Sequence, residues 1–111
     1  MKHEMKLHDQ PFNSIKNGTK TIEMRLYDKK RRLIKIGDII EFANRYTEEK
    51  ICVEVIKLHI FNNFEELYKK FDKVLLGYKE NEEASPNDMN IYYSKEEQEK
   101  YGVVGIEIKL I

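Results

Sequence analysis

Two side chains of opposite charge, Glu23 and Arg25, stand two positions apart in a stretch that otherwise suits a buried strand. On a strand, alternate side chains share a face, so these two are predicted to be neighbours, with Thr21 next in the same row. Lys20 adds a third charge at the start of the stretch. Such a cluster suits two roles, namely a structural ion pair or the recognition of a charged ligand.

Other kinds of chemistry have little support in the sequence. The three histidines, His3, His8 and His59, lie in separate strand-like runs without the spacing of zinc ligands. Cys52 is the only cysteine and sits in a strand-like run, which predicts a packed, reduced thiol. The glycines are isolated, so no phosphate-binding loop is formed. We therefore expect no metal and no cofactor.

Length and composition predict one globular domain. The chain has 111 residues, of which 41% are hydrophobic and 36% charged, and its formal net charge is zero. This is enough for a single core and too little for two. The chain shows no signal peptide and no apolar run of membrane-spanning length, so we expect a cytoplasmic protein without a membrane partner.

The charges are unevenly distributed along the chain. Residues 16–35 contain eight basic and two acidic side chains, and residues 80–99 contain seven acidic and one basic. A basic patch attracts phosphate even on a neutral protein. The alternative, favoured when charge alone is considered, is that the two stretches face each other or are solvated separately.

The hydrophobic pattern predicts five strands, over residues 4–8, 20–26, 39–44, 50–61 and 103–111, with a possible bend near Leu58. It also predicts four short helices. The first two are 10–17, capped by Asp9, and 64–71, capped by Asn62 or Asn63. The third starts at Ser85 and reaches Tyr92, and the fourth begins at the Ser94 capping box and ends at Lys100. The type of structure between residues 72 and 83 is left open.

This order of elements predicts an α+β fold, in which a small, closed or nearly closed β-barrel of about five to six strands is decorated by short helices. The third and fourth strands are joined by a short loop at residues 45–49, which is typical of a hairpin. A hairpin argues against a βαβ sheet and for a barrel.

The residues Gly18, Lys20, Glu23 and Arg25 complete the pattern G-x-K-x-x-E-x-R. Together with the Gly37-Asp38 turn and the final strand, the pattern resembles the ASCH domain, a family within the PUA-like barrels. The resemblance covers most of the chain and implies a single PUA-like domain over residues 1–111. It is weakest over residues 61–85.

The resemblance implies a cleft between the barrel and the first helix, where charged residues meet RNA or a nucleotide. Lys20 and Arg25 would contact phosphate or a base edge, and Glu23 would orient them or accept a hydrogen bond from a base amine. The predicted ligand-binding residues are Gly18, Lys20, Thr21, Glu23, Arg25 and Tyr27.

Aromatic side chains offer a second indication of nucleic-acid binding, because unpaired bases stack on rings beside basic groups. Tyr27 follows Arg25 closely, and Tyr92, Tyr93 and Tyr101 precede the last strand. Core packing is an equal alternative for Tyr27 and the favoured one for Tyr92 or Tyr93. The basic run at residues 29–32 is either a phosphate-binding rail or a solvated loop.

Two other classes of function stay open. Some small ASCH-like proteins remove the acetyl group from N4-acetylcytidine with a lysine, a threonine and a glutamate. Lys20 matches that lysine, whereas Glu23 stands where the threonine belongs. If the protein is an enzyme, Lys20 and Glu23 are the candidate catalytic residues. An amidohydrolase would use Lys20 as base, with Glu65, Glu66 or another late carboxylate completing the site, and a nuclease would use Lys20 and Glu23. A protein-interaction module would instead use the acidic face at residues 80–99. The sequence predicts no oligomeric state.

Overall fold

One five-stranded sheet organises the molecule, and the computed structural model describes it over residues 1–111. The strands are β1 (Lys2–Leu7), β2 (Ile22–Leu26), β3 (Ile39–Asn44), β4 (Lys50–Phe61) and β5 (Val103–Leu110). Their order is β1-β3-β4-β5-β2. β1 pairs with β3 in parallel, and all other pairs are antiparallel. The edge strands β1 and β2 do not pair, so the curled sheet is a half-barrel rather than a closed one.

Three α-helices decorate the sheet: α1 (Asp9–Lys16), α2 (Phe64–Lys70) and α3 (Lys95–Tyr101). Asn63 caps α2 by accepting from the amide of Glu66, and Ser94 begins α3 with a complete capping box, as predicted. Single 3₁₀ segments occupy Arg31–Leu33 and Pro86–Ile91. The predicted short helix after Ser85 is therefore a 3₁₀ segment.

Two predictions at the start of the chain are wrong in detail. His8 is the N-cap of α1, and Asp9 is already helical. The Asp9 carboxylate does not cap the helix, because it accepts a hydrogen bond from the side-chain amide of Asn44 at 3.0 Å. β1 correspondingly runs from Lys2 to Leu7, two residues earlier than predicted at its start.

β2 begins later than predicted, at Ile22. The amides of Thr21 and Ile22 both donate to the carbonyl oxygen of Leu75 at 3.0 Å, so the chain before the strand is held by a turn of the 72–78 segment. Lys20 and Thr21 therefore precede the strand instead of forming its first residues.

Two apolar clusters lie on opposite sides of β2. The larger surrounds Phe12 and Ile15 of α1 and the inner face of β1, β3, β4 and β5. The smaller contains Ile22, Met24 and Leu26 of β2 together with Phe64 and Leu67 of α2 and other buried residues. Because the apolar side chains of β2 all join the smaller cluster, Glu23 and Arg25 face the other way.

The remaining strands agree closely with the expected pattern. β3 and β4 have the predicted bounds, and the bend of β4 is a register shift between Val55 and Lys57, slightly before Leu58. Such an irregularity curves a strand and helps the sheet to curl. None of the helices has the length and apolar character required to cross a membrane.

Candidate functional site

Lys20, Glu23 and Arg25 form a buried ion cluster at the start of β2. Lys20 Nζ lies 3.3 Å from Glu23 Oε1. Arg25 Nε donates to Glu23 Oε2 at 2.9 Å, and Arg25 Nη2 lies 2.8 Å from the same oxygen. Lys20 is 5% exposed and Glu23 is 4% exposed. The carboxylate of Glu23 thus holds two cations, one on each oxygen.

The electrostatics of the cluster favour its charged form. Burial acts to raise the pKa of Glu23, but the attraction of Arg25 and then of Lys20 outweighs it, so this pKa lies below its ordinary value. Burial acts to lower the pKa of Arg25, but the attraction of Glu23, together with smaller contributions from Tyr93 and from the hydrogen bond to Glu23, outweighs it, so that pKa lies above its ordinary value. Both groups therefore remain ionised at neutral pH.

A turn from the middle of the chain positions Lys20. Lys20 Nζ donates to the carbonyl oxygen of Leu76 at 2.9 Å. The stem of Lys20 lies against Gly77, where an added Cβ would meet Lys20 Cδ at 3.0 Å. Gly77 also has a φ of +107°, which other residues rarely adopt. The turn thus requires glycine both for its backbone and for the space that Lys20 occupies.

The cluster lines a cavity of about 470 Å³. Its walls come from the end of β1, the start of α1, β2 and residues 76–93. Gln10 of α1 bridges two of these walls by donating to the carbonyl oxygen of Gly77 at 3.0 Å. The volume falls in the range of sites for small ligands.

Five basic side chains line the cavity. Lys6, Arg31 and Arg45 join Lys20 and Arg25. Arg31 Nη1 is held by Asp28 Oδ2 at 2.8 Å, but its buried Nε has no hydrogen-bond acceptor. A buried donor without an acceptor is uncommon in proteins.

Tyrosines and carboxylates also line the cavity. Tyr68, Tyr78, Tyr92 and Tyr93 contribute rings, and Glu82 and Asp88 contribute acidic groups. Burial raises the pKa of Tyr93, although attraction to Arg25 opposes the shift. Tyr93 also stacks on Phe64 of α2, with 6.1 Å between ring centroids. Its ring is thus fixed at the boundary between the cavity and the smaller core cluster.

Three of the predicted binding residues lie outside the cavity lining. Gly18 forms the turn after α1 with a φ of +87°. Thr21 is partly buried, and its backbone groups bond to Leu75 and Ile108. Tyr27 packs against the larger core cluster, with Arg32 4.2 Å above its ring. The structure therefore brings Lys20, Glu23 and Arg25 together in the cavity and leaves these three outside it.

The other candidates divide in the same way. Tyr92 and Tyr93 reach the cavity, whereas Tyr101 packs against the smaller core cluster. Of the basic run at 29–32, only Arg31 lines the cavity. Glu65 and Glu66 do not line the cavity. Glu65 lies near Lys69, and Glu66 accepts a hydrogen bond from the amide of Asn62.

Sequence reasoning missed the contribution of the middle segment. Tyr68 lies within the predicted helix 64–71, and Tyr78 lies in the stretch 72–83, whose type the sequence leaves open. Neither carries a local signal for binding, because their place in the cavity depends on contacts between distant parts of the chain. Asp88 had been noted only as part of an acidic stretch.

The fold and the site together define an ASCH protein with a PUA-like half-barrel. The model of the ASCH domain matches residues 5–111, so the chain belongs to the ASCH family. No curated protein matches the sequence. Among solved structures, hypothetical protein PH0355 is similar, with 36% identity, complete coverage of both chains and a TM-score of 0.84.

Two further solved structures resemble this chain. Protein PF0455 from Pyrococcus furiosus has 34% identity over 100% of this chain and 98% of its own, with a TM-score of 0.78. A mutant ASCH protein from Zymomonas mobilis has 13% identity over 97% of this chain and 67% of its own, with a TM-score of 0.72. The last similarity concerns the fold alone, and it confirms the predicted α+β, PUA-like class.

Proposed function

We propose that this ASCH protein binds a nucleotide in the cavity, either free or as one unit of a single-stranded RNA. The observation that carries the proposal is the composition of the walls, in which a buried Lys20–Glu23–Arg25 cluster and four tyrosines line one space of about 470 Å³. Cations beside aromatic rings are the combination that binds phosphate and stacks bases.

The basic side chains at the edge of the cavity supply the phosphate site. Lys6 and Arg45 are exposed, and neither forms an ion pair with an acidic side chain. Arg31 adds a guanidinium to the lining, and Asp28 orients it. Arginine presents donors in a planar fork that matches the oxygens of phosphate.

The tyrosines supply the base site. Tyr92 is 52% exposed, and its ring centroid lies 6.2 Å from that of His8 and 6.5 Å from that of Tyr93. An exposed ring among other rings offers a surface on which a base stacks, at about 1–3 kcal/mol per base.

Hydrolysis of an acetylated nucleoside is the alternative that the binding experiment must separate. Lys20 donates to Leu76 and faces Glu23, which is the role of a binding ammonium group rather than of a proton acceptor. Thr21 is not part of the lining, so its hydroxyl does not replace the missing threonine. These contacts favour binding over amidohydrolase or nuclease chemistry.

The proposal is tested by isothermal titration with nucleoside monophosphates and with a short single-stranded RNA. The matched variants are Tyr92→Ala, inside the cavity, and Tyr46→Ala, which removes a ring that is 85% exposed and outside it. We expect saturable binding that weakens about tenfold in Tyr92→Ala and not in Tyr46→Ala. Tighter binding of RNA than of every monophosphate would assign the site to RNA.

Absence of saturable binding by any of these ligands would overturn the proposal. Equal loss of affinity in the two variants would place the binding surface elsewhere. Incubation with N4-acetylcytidine and with RNA, followed by chromatography, checks for chemistry. Acetate release or cleavage that Lys20→Met abolishes would assign the site to an enzyme.

A further inference from the structure

Two tyrosines and an aspartate form a chain of hydrogen bonds on the wall of the cavity. The hydroxyl oxygens of Tyr68 and Tyr78 are 2.8 Å apart, and the Tyr78 hydroxyl lies 2.7 Å from Asp88 Oδ2. Ionised Asp88 only accepts hydrogen bonds, so Tyr78 donates its single proton to Asp88. Tyr68 must then donate to the oxygen of Tyr78.

The direction of this chain determines what the wall offers to a ligand. The hydroxyl protons of Tyr68 and Tyr78 are both engaged in these hydrogen bonds, so neither of the two tyrosines has a proton to donate to a ligand. The oxygen of Tyr68 and Asp88 Oδ1 retain lone pairs, and no protein group donates to Oδ1. Burial first, and then the bonds to Tyr68 and Asp88, raise the pKa of Tyr78, so its proton stays in place.

A second acidic group of the lining takes no part in these hydrogen bonds. Glu82 also lines the cavity, and its Oε1 accepts from the amide of Lys79 at 2.7 Å. Of the three carboxylates in the lining, Glu23 is paired with Lys20 and Arg25, whereas Glu82 and Asp88 form no ion pair with a cationic lining residue. The cavity thus presents cations that bind acceptors and, at Asp88, a carboxylate oxygen that binds donors.

We propose that Asp88, oriented by Tyr78 and Tyr68, makes the cavity select bases with an amino group at C4 of a pyrimidine or C6 of a purine, namely cytosine and adenine. This inference rests on the proposed binding of a nucleotide. With the phosphate at the basic side chains, the amino group donates to Asp88 Oδ1. Uracil and hypoxanthine place a carbonyl oxygen at the corresponding position, where it would face a carboxylate without a donor between them.

The test compares two pairs of ligands that differ at this group, CMP with UMP and AMP with IMP. Affinities are measured by titration for the unmodified protein, for Asp88→Asn and for the control Glu82→Gln. Asp88→Asn retains an oxygen for the Tyr78 hydroxyl but presents a donor to the ligand. Glu82→Gln removes the same charge from the same cavity without touching the tyrosines. Asp88 is exposed, so its variant is expected to fold.

We expect the unmodified protein to bind the amino-bearing member of each pair about tenfold more tightly. Asp88→Asn should abolish or reverse that ratio, and Glu82→Gln should preserve it. Equal affinity within both pairs, or a preference that Asp88→Asn leaves unchanged, would overturn this inference while nucleotide binding stands. Loss of the preference in Glu82→Gln alone would overturn it as well. Failure of all four ligands to bind would instead overturn the proposed function.

Discussion

The ammonium nitrogen of Lys20 lies 2.9 Å from the carbonyl oxygen of Leu76, 56 positions further along the chain. A residue of the G-x-K-x-x-E-x-R pattern is therefore held in place by the turn that precedes Gly77. The same turn receives the amides of Thr21 and Ile22 on the carbonyl oxygen of Leu75. The pattern and the middle segment thus form one structural unit, and the cavity depends on both.

The buried ion cluster should show strong coupling between Glu23 and Lys20. Glu23→Gln leaves two buried cations without their counter-charge and should lower the free energy of unfolding by about 3–5 kcal/mol. Lys20→Met keeps the packing on Gly77 and leaves Arg25 paired with Glu23, so it should cost about 1–3 kcal/mol, largely for the unsatisfied Leu76 carbonyl. Urea denaturation measures both.

The double variant provides the decisive comparison for this cluster. In the double variant Lys20→Met, Glu23→Gln, only Arg25 is left without its counter-charge. Its loss of stability should therefore be smaller than the sum of the losses in the two single variants. Additive losses would show that Lys20 and Glu23 do not interact in the way the structure indicates.

Replacing Gly77 should disturb Lys20 as well as the backbone. Gly77→Ala introduces a Cβ 3.0 Å from Lys20 Cδ. Gly37 has a similar positive φ of +92°, but a Cβ added there would have no atom within 4 Å, so Gly37→Ala is the matched control. Both variants should lose about 1–2 kcal/mol to backbone strain. Only Gly77→Ala should also weaken nucleotide binding, measured by titration. Equal affinities of the two variants would contradict a role for the Gly77 turn in the site.

The basic edge of the cavity should govern the salt dependence of RNA binding. Arg45→Gln removes an exposed cation of the lining, and Lys30→Gln removes an exposed cation of the basic run outside it. Loss of one phosphate contact should reduce the slope of log affinity against log salt by about 0.7 for single-stranded RNA. We expect this change in Arg45→Gln alone. A reduced slope in Lys30→Gln alone would instead favour phosphate binding by the basic run at residues 29–32.

Asp38 should make the fold sensitive to acid. A hydrogen bond from His3 at 2.8 Å, and then one from the amide of Lys35 at 3.0 Å, lower the pKa of Asp38 from 3.8 to about 2. Its stabilising contribution is complete above pH 3.8 and is lost as the pH falls through about 2. As the pH is lowered from 3.8 to about 2, the urea midpoint should fall less in Asp38→Asn than in the unmodified protein. An identical decline in both would assign the acid sensitivity to other groups.

Local patterns predicted much of the fold. Strands β3 and β4 follow the alternation of apolar residues after the Gly37 turn, and the caps at Asn63 and Ser94 begin helices where expected. The start of β2 was misjudged because the amides of Thr21 and Ile22 bond to Leu75, which the local sequence does not indicate. The parallel pairing of β1 with β3 is likewise a long-range feature that no local pattern specifies.

The candidate site was predicted only in part for the same reason. Lys20, Glu23 and Arg25 stand close in sequence, and their convergence follows from the strand and the turn beside it. Tyr68, Tyr78 and Asp88 meet through hydrogen bonds between separate segments. Their spacing resembles that of ordinary helix and loop residues, so only the folded structure shows that they line the same cavity.

The binding of a nucleotide in the cavity around Lys20 and Arg25 is tested by following backbone amide resonances during a titration with CMP. We expect saturable shifts concentrated at residues 20–25 and 76–93, with the outer part of β4 at residues 56–60 unchanged. Saturable shifts confined to residues outside the cavity lining, or no shifts at all with CMP, AMP and a short single-stranded RNA, would contradict it.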